Sequence, residues 1–205
     1  MNHAATIFVG VMLTFASAWL GLVFLPYLQL GNIEPVAIEG SSDTYPKPLG
    51  GLAAQGRGVY VAGGCVYCHT QQIRPEGFGA DIERGWGPRR TVARDYMYDR
   101  PHLFGTNRTG PDLANIGARQ PSSKWHHLHL YNPRITSPGS VMPSFRYLYE
   151  KRKITGEPSK LALELPEEWK PAAGYEIVPT AEARALVAYL QALDHTTPLK
   201  EAETP

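Results

Sequence analysis

Cys65-Val66-Tyr67-Cys68-His69 uses both cysteines of a 205-residue chain, and no other stretch restricts the possible fold as strongly. In such a CxxCH run the two thiols can add to the two vinyl groups of a haem, and the histidine that follows is placed to ligate its iron. Other readings of two cysteines are a structural disulfide, a zinc half-site and a redox dithiol. A zinc site needs further cysteines or a histidine pair at finger spacing, and neither follows. A dithiol motif does not require histidine directly after its second cysteine. Cys65 and Cys68 are therefore expected to hold one haem c covalently, with His69 as an axial ligand. A second CxxCH is missing, so one covalent haem is the maximum.

The first thirty residues set a second constraint. From Ala4 to Leu30 there is no charged side chain. Ala4 to Leu25 alone would extend roughly 33 Å as a helix, enough to cross a hydrocarbon core of about 30 Å. Trp19 and Tyr27 fall toward the far end, where amphipathic rings favour the headgroup level. Ala16-Ser17-Ala18 resembles a signal-peptide cleavage site, but no Lys or Arg precedes the apolar run. A cut after Ala18 would also leave Trp19 to Leu25 facing water. A retained anchor is the expectation. Covalent attachment at CxxCH takes place on the outer side of the bacterial inner membrane. The haem domain is accordingly expected in the periplasm and the N-terminus in the cytoplasm. A formal net charge of +1 argues against nucleic acid as a partner.

Expected organisation follows: an anchor over residues 1–30, a Pro- and Gly-rich periplasmic linker over 31–50, a haem domain over 51–195 and a tail over 196–205. Gly56 and Tyr60 lie one helical turn apart just before the haem motif. Thr180 can cap a second helix whose Leu186, Tyr189, Leu190 and Leu193 form an apolar stripe. A glycine beneath an aromatic ring lets two helices cross closely. Beside a CxxCH this is the crossed helix pair of a class I cytochrome c. The expected fold is mainly α, with one N-terminal transmembrane helix plus a class I cytochrome c domain.

A second axial ligand must come from elsewhere. Met142 sits in a loop stiffened by Pro138 and Pro143, which can hold a sulfur on iron at small ordering cost. Met97, in a polar aromatic stretch, and the cluster His126, His127 and His129 are the alternatives; a His126/His129 metal pair is a further one. In Thr109-Gly110-Pro111-Asp112-Leu113, the Pro111 carbonyl is placed to accept a hydrogen bond from the ligating imidazole. Arg74, Arg108 and Arg134 each neighbour one of these motifs and are candidates for neutralising haem propionates.

The ordered set of motifs closely resembles the monohaem cytochrome c subunit (subunit II) of cbb₃-type haem–copper oxidases. It runs through Gly64 to His69, Gln72-Ile73-Arg74-Pro75, Tyr98-Asp99-Arg100-Pro101 and Arg108 to Leu113. Trp125-His126, His129 to Arg134, Met142-Pro143-Ser144 and Val187 to Gln191 follow in the family's order. The resemblance covers about residues 50 to 193 and the single anchor. It implies that Cys65 and Cys68 hold the haem, with His69 proximal and Met142 distal. It further implies a catalytic partner subunit carrying haem b and copper, and a di-haem subunit or soluble cytochrome c as electron donor. The long segment between His69 and Pro111 exceeds a minimal cytochrome c, so long loop insertions are expected. Gln72 stands where the family has methionine, and Arg100 where it has histidine. Residues 83–90 follow the pattern only in part, and 146–180 align poorly.

The resemblance implies electron transfer to a membrane terminal oxidase by a subunit that is not itself an enzyme, since iron ligated on both faces leaves no open position. A cytochrome c subunit of a nitric oxide reductase, or a stand-alone membrane cytochrome, is the alternative. A haem catalyst or gas sensor would need an open distal site.

Overall fold

The computed structural model describes residues 3–202. Residues 1, 2 and 203–205, the outer ends of the expected anchor and tail, lie outside the described residues. Two compact units make up the chain: residues 1–46 with 93–97, and residues 47–92 with 98–205.

In the first unit, α1 runs over Ala4–Leu30, 27 residues with a mean hydropathy of 2.2 and no buried residue. It is the one described helix long and apolar enough to cross a membrane. Pro26 has no N–H to give, and its ring would clash with the carbonyl one turn back. The helix answers by widening to π geometry over Leu20–Phe24, where the Leu25 N–H bonds to Leu20 O. After it, β1 (Val36–Ala37) pairs antiparallel with β2 (Thr44–Tyr45). The Tyr45 hydroxyl donates to buried Asp95 Oδ1 at 2.6 Å, which ties this hairpin to the 3₁₀ turn Ala93–Tyr96. That turn lies far along the chain, and no sequence signal placed it beside the hairpin.

The second unit is built on the expected helix pair. α2 spans Gly51–Ala62, and α5 spans Ala181–Ala192 with Thr180 as its N-cap, the Thr180 hydroxyl accepting from Ala183 N at 3.2 Å. The two cross at Gly56, where an added Cβ would stand 1.8 Å from Ala185 O. No side chain fits there, so glycine is what lets the backbones touch. Tyr60 and Tyr189 pack above the crossing with ring centroids 5.3 Å apart, both almost fully buried. Leu186, Leu190 and Leu193 complete the apolar stripe in the core.

Between these helices come α3 (Ile116–Arg119) and α4 (Ser123–Tyr131), the latter capped by the Ser122 hydroxyl on Trp125 N. Residues 146–180, where the family alignment is poor, fold as β3 (Tyr149–Lys153) antiparallel to β4 (Tyr175–Pro179). The tail is tied down by buried Arg89, whose Nε donates to Thr197 O at 2.8 Å. The expectation of a mainly helical chain with one apolar N-terminal helix holds.

Candidate haem site

Gly64 takes a left-handed conformation (φ +70°) and opens the 3₁₀ turn Cys65–Tyr67. The His69 N–H closes back on Cys65 O at 3.0 Å, so the two thiols and the imidazole leave one tight turn. Cys65 is half-buried and Cys68 exposed. Burial pushes the Cys65 thiol up to about 11.

The motif is laced to the Thr109–Leu113 turn. Gly110 N donates to Cys68 O at 2.9 Å and Leu113 N to Thr70 O at 2.8 Å. Buried Asp112 accepts from Thr70 Oγ1 at 2.6 Å and from Gln72 N at 2.7 Å. The His69 Nδ1 donates to Pro111 O at 2.7 Å, which leaves Nε2 as the nitrogen free to ligate. Burial lowers the His69 pKa despite that bond, keeping the ring in the neutral form a metal needs.

A cavity of about 590 Å³ opens beside this turn, a size suited to a cofactor. Cys68, His69 and Pro111 line it together with Met142 from the Pro-flanked loop. Leu113, Ile116, Leu130 and Leu190 give it apolar walls. The Met142 loop is held on both sides: Met142 N bonds to Ser140 Oγ at 3.3 Å, and Arg134 Nη1 donates to Met142 O at 3.1 Å. A sulfur, a neutral imidazole nitrogen and a thiol thus share one apolar cavity. That donor set fits a thioether-linked haem with His and Met on its two faces.

Of the alternative ligands, His126 and His129 also line the cavity, whereas Met97 and His127 do not. Met97 belongs to the other unit and does not line the cavity. His127 turns to Tyr149, its Nδ1 lying 3.1 Å from the hydroxyl. The His126 Nε2 donates to Gln120 O at 2.8 Å, so that nitrogen is spent. His129 lines the cavity, stacks on Trp125 at 4.6 Å and donates from Nδ1 to Thr136 Oγ1 at 2.5 Å. Among the described residues no cluster of three or more His, Cys, Asp or Glu is arranged for a metal ion.

None of Arg74, Arg108 and Arg134 is a cavity wall. Arg74 and Arg108 converge on Asp81, which is fully buried, at 2.8 and 2.5 Å. Burial alone would raise the Asp81 pKa, but the donors on both arginines hold the carboxyl well below the usual carboxylate range. Arg108 also donates to Thr70 Oγ1 and packs over Trp86, so this ion cluster braces the segment after His69. Arg134 serves the Met142 loop. The arginine that does line the cavity is Arg119. It passed unnoticed in the sequence because it neighbours no recognisable motif.

A family model described as cytochrome c oxidase, mono-haem subunit/FixO, matches residues 5–162. The chain belongs to this family. It is the cbb₃-type mono-haem subunit family that the motifs resemble, so this cytochrome c oxidase subunit is expected to hold one haem. A search of curated proteins finds no match. The matched span takes in the anchor, the CxxCH turn, the Pro111 turn and Met142, and ends before α5.

Proposed function

We propose that this mono-haem oxidase subunit is a membrane-anchored c-type cytochrome that passes electrons to the catalytic haem–copper subunit and does not itself reduce oxygen. The observation that carries the reading is the convergence of His69 and Met142 on one cavity, with the CxxCH turn at its edge. A haem bound there supplies a one-electron ferric/ferrous couple. The chain's own residues do the rest. Cys65 and Cys68 would anchor it, Pro111 fixes the tautomer and tilt of His69, and the leucine walls would keep water off the bound group. A haem held by both His69 and Met142 would have no position left for oxygen, which favours a relay over a catalyst. In this reading α1 crosses the bacterial inner membrane once, with the N-terminus in the cytoplasm and the haem domain in the periplasm. A di-haem cytochrome c subunit or a soluble cytochrome c is the donor.

The oxidised protein in the purified complex should show the Met–iron charge-transfer band and a haem that stays with this chain on a denaturing gel. High-spin features without that band would overturn the ligation. A haem c that fails to reduce haem b in a rapid-mixing experiment would overturn the relay.

A further inference from the structure

We propose that His129 is a reserve ligand that takes the haem iron when the Met142 sulfur leaves it, an inference that rests on the haem reading above. His129 lines the same cavity as His69 and Met142. Its neighbours fix its tautomer. The Thr136 hydroxyl donates to Pro133 O at 3.3 Å, so toward His129 Nδ1, 2.5 Å away, it acts as the acceptor. Nδ1 therefore carries the proton, and Nε2 keeps its lone pair. Among the described residues Nε2 forms no hydrogen bond. His69 is arranged in the same way, with Nδ1 engaged by Pro111 O and Nε2 left over. Burial, helped by the charges of His69 and His126, lowers the His129 pKa to about 4, so the ring is neutral near pH 7. A neutral imidazole that has spent its one N–H has nothing to donate to a carboxylate, but it can ligate a metal.

The bonding around α4 puts this ring beside the Met142 loop. Thr136, which His129 holds, opens that loop. At its far end the Phe145 N–H donates to the carbonyl of Leu130, the residue after His129, at 2.9 Å. Between them, Arg134 N and Ser144 Oγ both reach Asn132 Oδ1, at 3.3 and 3.4 Å. The loop is thus stitched to α4 on both sides of Met142. Trp125 stacks on His129 with ring planes 10° apart, which keeps the imidazole from turning. His126 is not equivalent, because its Nε2 is spent on Gln120 O. A thioether favours ferrous iron, so the ferric state is the one that lets sulfur go most readily. An imidazole on the same loop then keeps the iron six-coordinate, at a lower potential and closed to oxygen.

The test uses the full-length chain with its haem attached, purified in detergent, with a covalent-haem stain of each variant. It compares wild type, His129→Gln, Met142→Ala and Met142→Ala/His129→Gln. Electron paramagnetic resonance of the ferric forms reads the ligand pair, and carbon monoxide binding to the ferrous forms reads whether a position is open. Wild type and His129→Gln should both show the Met–iron band and bind no carbon monoxide. Met142→Ala should lose that band yet stay low-spin with a bis-imidazole signature, and still refuse carbon monoxide. The double variant should turn high-spin and bind it, and added imidazole should restore its low-spin spectrum, which checks that the pocket survives. A high-spin Met142→Ala that binds carbon monoxide overturns the proposal. So does a double variant that stays low-spin, because another group then takes the iron. Should Met142→Ala lose its haem, Met142→Leu refills the space without offering a ligand and is read in the same way, alone and with His129→Gln. A bis-imidazole wild type would overturn the reserve role together with the Met142 ligation. An unstained wild-type chain would sink the haem reading itself, and the reserve ligand with it.

Discussion

The Nδ1 of His69 donates to the carbonyl oxygen of Pro111 at 2.7 Å, across a sequence separation of 42 residues. That contact makes the CxxCH turn and the Thr109–Leu113 turn one unit. It fixes which ring nitrogen is free, and it makes that nitrogen a better ligand. Gly110 is what allows it: a Cβ there would stand 2.3 Å from His69 Cε1 and 2.8 Å from Nδ1.

Gly110→Ala should therefore push the imidazole off its present tilt. Overpacking of this kind costs about 1–3 kcal/mol. The variant is expected to melt earlier than wild type and to show a weakened low-spin spectrum. Unchanged melting and unchanged haem bands would mean that the ring has more room than the geometry allows.

Met142 lines the cavity and packs against the hydrophobic core while remaining half-buried. Met142→Ala should leave the haem attached through Cys65 and Cys68 but lower its potential, since a thioether ligand favours the ferrous iron. Truncation of a buried Met costs 2–5 kcal/mol, and partial exposure puts this site near about 2 kcal/mol. Turnover of the complex should slow. An unchanged potential together with an intact charge-transfer band would remove Met142 as the ligand.

The readable parts of the sequence were those in which local chemistry alone restricts the backbone. CxxCH, the Thr180 cap, the Gly56–Tyr60 spacing and the proline-flanked Met142 each carry their geometry within a few residues. Gly56 could be placed under an aromatic because only glycine lets two helices touch. The arginines were harder to place for the opposite reason. Proximity in sequence to a motif says little about where a long flexible side chain ends, and a buried Asp81 some residues away captured two of them. Arg119 reaches the cavity through a tertiary packing of α3 on α5 that no local pattern announces. The pairing of β3 with β4 was equally hidden, because a long irregular segment separates the strands.

Asp81 is fully buried between Arg74 and Arg108, and its loss removes the carboxylate that both guanidinium groups share. Asp81→Asn should destabilise the haem domain on the order of 3 kcal/mol at neutral pH, with Arg74 still reached by water limiting the damage. A carboxyl whose folded pKa is depressed contributes stability that is present above its unfolded value and is lost as pH falls through the folded one. Wild type should hold this contribution down to about pH 4 and lose it below. Denaturant unfolding of both proteins from neutral to acid pH checks this. An Asn variant as stable as wild type at pH 7 would contradict the role given to Asp81.

His127 points away from the cavity, toward the Tyr149 hydroxyl, and burial pushes its pKa down to about 4, helped by the charges of His126 and Arg184. In the unfolded chain the same ring titrates near 6.5, so between about pH 6.5 and 4 the unfolded state binds a proton that the folded state refuses. Stability must therefore fall as the solution is acidified through that window. At pH 5 the difference amounts to about 1–2 kcal/mol from this residue, since each pH unit contributes at most about 1.4 kcal/mol. His127→Gln can still bond to Tyr149 but has nothing to titrate. Its unfolding free energy should drop less than wild type between pH 7 and 5, by about that amount, when followed by tryptophan fluorescence in urea. Equal losses in the two proteins would show that His127 is already charged in the fold, and that its burial is shallower than the packing against Tyr149 requires.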